Sequence, residues 1–223
     1  MRRILESLIL LISIFLMFCG IYFLVEHFVL EKRNFVVYKI LERSAYLEYG
    51  EFYCGATNIK NNIFITATHC VNDISKNDKV VLRVWSGKEY KFKKVVLVKG
   101  RDLALIFAND DNKNNDEDLF KEKIKISSPS LGEEVYIVGH TLSEFFTVRK
   151  AIVAKLHNDR FIIDTHIWFG DSGSGVFNRR GDLIGVITST EMIPATKEEI
   201  GFPMWGLAEY VPKEVIYEVE RRE

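Results

Sequence analysis

The sequence predicts an all-β protein, a sandwich or barrel, behind an apolar N-terminal segment. Three observations carry this. Short runs rich in β-branched and aromatic residues recur along the chain, polar or glycine-containing turns separate them, and helical patterning is confined to the two ends. A chain of 223 residues suits one all-β domain of this kind, since barrels often reach such a size as single domains.

The N-terminal element comes first. Met1, Arg2 and Arg3 precede an uncharged run over residues 7–25, SLILLISIFLMFCGIYFLV. As a helix rising about 1.5 Å per residue, it comes close to spanning the ~30 Å hydrocarbon core of a bilayer. A buried soluble helix would show a polar face, and a cleaved signal peptide would be shorter and end in a small-x-small site. A lipid attachment at Cys19 is opposed by the bulky Phe18 before it and by the apolar run beyond it. Residues 1–25 therefore read as an N-terminal segment and a single transmembrane anchor that contacts membrane lipid. Arg2 and Arg3 on one side, against Lys32 and Arg33 diluted by Glu26 and Glu31 on the other, lean toward a cytoplasmic N-terminus. That leaves the rest of the chain extracytoplasmic. Residues 26–44 read as a juxtamembrane segment merging into a first strand at 35–41, and residues 45–223 as one domain.

Within that domain FYCGATNI and IFITAT flank Lys60, Asn61 and Asn62, which predicts a hairpin. KVVLRVW and EYKFKKVVLV, joined at Ser86 and Gly87, predict a second. DLALIFA, EVYIVGH, FTVRKAIVAKL, RFIIDTH, GVFN and DLIGVIT are further strands, with a turn at Arg179, Arg180 and Gly181 before the last. The C-terminal VPKEVIYEVERRE places Val211, Val215, Ile216 and Val219 on one helical face, with Pro212 near its start. Between the two groups of strands, residues 109–125 are strongly polar. Their Asp and Asn residues lack the D-x-[DN]-x-[DN]-G calcium spacing, so the segment reads as a solvated connector, and no metal or other cofactor is expected. Thirty basic and 31 acidic side chains nearly cancel, which excludes a polyanionic partner such as nucleic acid. Of the three cysteines, Cys19 lies in the apolar run, leaving Cys54 and Cys70 as the one pair.

Three motifs carry chemistry: TATHC at Thr66 to Cys70, RDLAL from Arg101, and GDSGSG from Gly170. A serine hydroxyl is a weak nucleophile until an imidazole removes its proton, and the imidazole needs a carboxylate on its other nitrogen. His69, Asp102 and Ser172 supply one of each. The glycines around Ser172 permit a sharp turn that aims the Gly170 and Ser172 N–H groups at a developing oxyanion. Each motif alone is weak, but their order is informative. No histidine follows Ser172, which rules out the Ser…Asp…His order of α/β-hydrolases if Ser172 is the nucleophile.

These motifs resemble the TAAHC and GDSGGP of chymotrypsin-like (trypsin-like) serine proteases. The stretches SGKEYKFKKVVLVKGRDLALI and FNRRGDLIGVIT are similar to parts of HtrA-type bacterial protease domains. The resemblance covers about residues 45–219. It implies two six-stranded antiparallel β-barrels with the site between them, a C-terminal helix, and a serine endopeptidase acting on protein or peptide substrates. In that reading His69 is general base, Asp102 orienter and Ser172 nucleophile, with activity rising through about pH 7 as His69 deprotonates. It also implies a Cys54–Cys70 disulfide, which would stabilise by about 3 kcal/mol and place the domain outside the cytoplasm. The chain departs from the HtrA pattern in showing no PDZ module, and from trypsin-like zymogens in showing no Ile-Val-Gly-Gly activation junction. Asp171, which in zymogens meets a newly cut N-terminus, therefore needs an internal cation. His140 and Arg149 are the two candidates. Counting back from the nucleophile puts His166 at the base of the pocket for the side chain before the scissile bond, with Thr188 and Thr190 on its wall. No acid occupies that register, so small, medium apolar or hydrogen-bonding side chains are expected there rather than Lys or Arg. A catalytically silent binding or chaperone-like module with the same fold is the alternative function.

Overall fold

A computed structural model describes residues 2–72, 74, 80–109, 122–192, 203–212, 215 and 219. The chain divides into Met1–Tyr38 and a compact β unit, Lys39–Glu223. Helix α1 covers Arg2–Arg43 and contains the uncharged run. Among the described residues no helix is long and apolar enough to cross a membrane, and residues 7–13 and 25 of the expected transmembrane helix fall outside the described side chains.

The expected strand at 35–41 is replaced by the last turns of α1, and the first strand, β1, is Ser44–Tyr49. FVVYKIL is rich in β-forming residues. However, Ile40 and Leu41 are neighbours and both buried, a spacing that a strand with alternating faces does not provide but a helix face does. The Ser44 hydroxyl then bonds back to the Ile40 carbonyl at 2.7 Å, closing the helix end.

Among the described residues twelve strands form two closed six-stranded barrels. The first contains β1, β2 (Phe52–Lys60), β3 (Ile63–Thr66), β4 (Val81–Val84), β5 (Glu89–Leu97) and β6 (Ala104–Asn109). The second contains β7 (Glu134–Gly139), β8 (Thr147–Leu156), β9 (Arg160–Ile163), β10 (Gly175–Asn178), β11 (Leu183–Met192) and β12 (Pro203–Glu209). Around the first the order is β1-β2-β3-β6-β5-β4, and around the second β7-β8-β9-β12-β11-β10. The same topology is thus used twice, although the sequence shows no repeat. Closure comes from β1 with β4 and from β7 with β10, both antiparallel, so neither barrel keeps an open edge.

Each barrel is filled by its inward-facing residues. Leu47, Phe64, Leu82, Val84 and Ile106 fill the first, and Val135, Val153, Phe161, Ile163 and Val176 the second. Beyond the polar connector, whose residues 110–121 lie outside the described set, the chain ties the barrels together. Ile124 N–H donates to Ile59 of the first barrel, and Leu183 N–H of the second donates to Lys125. Of the expected C-terminal helix, 211–223, only Val211, Pro212, Val215 and Val219 are described, and the three valines are buried.

Candidate active site

The first barrel delivers an imidazole and a carboxylate. After β3 ends at Thr66, one 3-10 turn, Thr68–Cys70, carries His69. Asp102 lies in the turn before β6. Two backbone-directed bonds hold these turns together: Thr68 N–H to the Asp102 carbonyl at 3.2 Å and the Thr68 hydroxyl to the Leu103 carbonyl at 2.8 Å. The Asp102 carboxylate then accepts from the His69 N–H at 3.0 Å and lies 2.7 Å from His69 Nδ1. A carboxylate at Nδ1 holds the proton on that nitrogen and leaves Nε2 to accept one. Both side chains keep solvent contact, His69 at 45% and Asp102 at 33% exposure. The Cys54–Cys70 disulfide closes the β2–β3 hairpin that carries His69. Cys54, His69 and Cys70 lie near enough together to suggest a ligand set, but the bridge leaves no thiolate to bind a metal. Glu209 of β12 accepts from the Asp102 N–H at 3.3 Å, and burial raises its carboxyl above the usual range against that bond. No local motif marks Glu209, which is why the sequence does not reveal it.

The second barrel delivers the serine on a turn built around a buried charge. Asp171 is fully buried. Its Oδ1 pairs with Arg149 Nη2 at 2.6 Å. It also accepts from the Thr141 hydroxyl at 2.8 Å, the His140 N–H at 3.2 Å and the Trp168 N–H at 2.9 Å. Of the two expected cations, Arg149 is therefore the partner, and its Nη1 also donates to the His166 carbonyl at 2.8 Å. The His140 ring faces elsewhere. Phe146 N–H donates to its Nδ1 at 3.1 Å, and Nε2 lies 3.1 Å from the Ala45 carbonyl. Burial pushes this imidazole down to about 4, so at neutral pH it is uncharged, with Nε2 as donor.

The loop over 141–146 is bent on itself. Leu142, Ser143 and Phe146 all have positive φ, at 50°, 68° and 59°, a conformation that costs non-glycine residues about 1–2 kcal/mol each. Stacking of Phe145 on Tyr46 at 4.1 Å and the Phe146 bond to His140 offset that cost. The loop in turn fixes the serine turn, because Leu142 N–H donates to the Phe169 carbonyl at 3.0 Å. In a trans peptide N–H and C=O are opposed, so this bond directs the Gly170 N–H away from Leu142. Gly170 has φ +96°, and a Cβ there would lie 2.2 Å from the His140 carbonyl; only glycine fits. The barrels meet behind Ser172, where Gly55 N–H donates to the Ser172 carbonyl at 2.6 Å.

His69, Gly170 and Ser172 line one cleft of about 720 Å³, together with Tyr53, the disulfide and Phe169. His166, Thr188 and Thr190 do not line it. His166 is exposed, Thr188 is buried, and the Thr190 hydroxyl donates to the Trp205 carbonyl at 3.0 Å. Thr190 pairs with Gly206 across β11 and β12, and the space where a Gly206 side chain would sit is taken by Ile167, 2.4 Å from such a Cβ. Ile167, next to His166, is buried in the core of the second barrel.

A fold of two like barrels, with a histidine–aspartate pair on one and a serine turn on the other, defines a class of peptidase. A family model described as the trypsin-like peptidase domain matches residues 51–186, more than half of the chain. The chain belongs to that family and is a chymotrypsin-like serine endopeptidase. Among the solved structures it resembles is Rv3671c from M. tuberculosis H37Rv, crystallised as a serine-to-alanine mutant in an inactive form. The TM-score is 0.60 at 14% identity, covering 83% of this chain and 89% of that one. At that identity the likeness shows the shared fold alone. No curated protein matches the sequence significantly.

Proposed function

We propose that this is a membrane-anchored endopeptidase in which Ser172 attacks the scissile carbonyl. His69 Nε2 takes the Ser172 proton, Asp102 stabilises the imidazolium, and the Gly170 and Ser172 N–H groups bind the oxyanion. His69 then protonates the leaving amine, and water hydrolyses the acyl-enzyme by the same route in reverse. The observation that carries this reading is the 2.7 Å contact of Asp102 with His69 Nδ1, His69 lining the same cleft as Ser172. Substrates are proteins or peptides. On the acyl side the register from Ser172 assigns His166, Thr188 and Thr190 to the pocket, and with no acid among them it takes small, medium apolar or hydrogen-bonding side chains rather than Lys or Arg. The Arg149–Asp171 pair supplies internally what a cut N-terminus supplies in zymogens, so activity needs no proteolytic activation. The uncharged run at 7–25 anchors the chain, and the disulfide suits an extracytoplasmic domain.

A serine-reactive phosphonate probe applied to carbonate-washed membranes tests this. Wild type is labelled in the membrane and Ser172→Ala is not. Labelling that survives Ser172→Ala sinks the nucleophile, and labelled protein released by carbonate sinks the anchor.

A further inference from the structure

Three of the large apolar side chains that the β unit leaves exposed lie around one cleft: Phe52 at 75%, Leu142 at 65% and Phe169 at 79% exposure. Clustered exposed apolar groups mark a binding surface. Here the surface is continuous with Ser172 and His69. Its direction can be worked out from the chemistry. A carbonyl carbon on Ser172 with its oxygen at Gly170 must place its leaving nitrogen toward His69, the group that protonates it. From His69 the cleft runs over the Cys54–Cys70 bridge to Tyr53 and Phe52. It includes none of the acyl-side residues Thr188 and Thr190.

We infer that this apolar cleft binds the substrate segment released as the amine, and selects a large apolar side chain at one of the first two residues after the scissile bond. The inference rests on Ser172 being the nucleophile. Burying such a side chain against Phe169, Leu142 and Phe52 removes apolar surface of both partners from water, whereas Glu51 in the same lining repels acidic side chains. Two bonds also fix the position of the walls: Leu142 N–H to the Phe169 carbonyl on one side and the disulfide on the other. Such a preformed surface loses little to ordering when it binds.

Acyl transfer reads this side of the site alone. An activated ester acylates Ser172 of the full-length protein. An added amine then attacks the ester carbonyl and gives its proton to His69. The carbonyl–Oγ bond breaks, and the proton passes to Oγ, leaving an amide and free enzyme. The amines are leucinamide, phenylalaninamide, glycinamide, lysinamide and aspartamide, then alanyl-leucinamide against alanyl-glycinamide. Capture of the large apolar amines in one of the two series should exceed capture of the glycine counterpart by about tenfold or more. Phe169→Ser, which alters an exposed side chain, should reduce that ratio to about threefold or less. Equal capture in both series, or preference for lysinamide or aspartamide, overturns the inference while the acyl-enzyme still confirms the nucleophile. Absence of any acyl-enzyme overturns both. Flat capture combined with self-association that Phe169→Ser abolishes would assign the surface to a second copy of the chain instead.

Discussion

The two barrels share one topology, yet they hold their halves of the site in opposite ways. The first presents His69 and Asp102 on short turns, both in contact with water and tied by a few bonds and one disulfide. The second sets Ser172 beside a fully buried Asp171 that is surrounded by an arginine, a hydroxyl and two N–H groups. The reason is chemical. An acid–base pair must exchange protons with substrate and water, and a buried imidazolium would be costly. An oxyanion site does the reverse: it works by having its donors fixed before charge develops, so it needs a rigid, dry support. In the proposed mechanism the same fold therefore serves proton transfer on one side and preorganisation on the other.

The largest expected effect breaks the exposed half without unfolding it. Asp102→Asn should lower kcat by about four orders of magnitude, because the amide no longer holds the proton on His69 Nδ1. Asn keeps the size of Asp102, so the melting temperature should stay within a few degrees. Steady-state hydrolysis alongside thermal denaturation checks both parts, and a loss of less than tenfold would mean that Asp102 is not the orienter.

The buried half should fail differently, through stability first. Arg149→Met leaves the Asp171 carboxylate buried without its counter-ion, a cost of about 3–5 kcal/mol. In a protein of this size that lowers the melting temperature by roughly 10 °C. Phosphonate labelling of Ser172 should slow in parallel as the turn loosens. Adding Asp171→Asn to Arg149→Met should restore part of the melting temperature, since no charge is then stranded. A single mutant that melts within a degree of wild type would show that the pair does not support the turn.

A smaller effect sharpens the comparison through pH. His140 braces the 141–146 loop in its neutral form, with its pKa lowered from 6.5 to about 4 by burial. Arg149 adds to the lowering, while Asp171 and the Ala45 carbonyl oppose it. Between pH 6.5 and 4 the unfolded chain therefore binds the proton and the folded one does not. The stabilisation is complete above 6.5 and is lost as pH falls through that window, by roughly 3 kcal/mol in all. Urea unfolding at pH 7.5 and 4.5 should show this loss on top of the carboxylate contribution, and His140→Gln should flatten it. Equal slopes in the two proteins would remove His140 from the account.

Most of the strand pattern was legible because those strands are short runs of β-branched and aromatic residues bounded by turn residues, whether alternating in burial like β4 or buried throughout like β3 and β10. The two strands left unread are β1, SAYLEY, and β12, PMWGLAE. Neither has a strong β composition, and β12 contains both Pro203 and Gly206. Each is extended because it is paired on both sides, β1 by β2 and β4 and β12 by β11 and β9. Barrel closure, rather than propensity, specifies them. The reverse error at 35–41 has the same origin: local β preference yielded to helical packing of Ile40 and Leu41.

The sequence by itself marked the candidate chemistry-bearing residues and their order, His69, Asp102 and Ser172, with the glycines around the serine turn. Such residues sit in short motifs whose function depends on the local backbone, so a few neighbours suffice to mark them. The tertiary structure alone decided that Arg149 rather than His140 neutralises Asp171, that Glu209 holds the Asp102 main chain, that Ile167 fills the space beside Gly206, and that Phe52, Leu142 and Phe169 converge on one cleft. These partners are far apart in sequence, Asp102 and Glu209 by 107 residues. Pairing over such separations is fixed by barrel register and by the meeting of two barrels, and a one-residue slip in a strand would turn every such side chain to the other face.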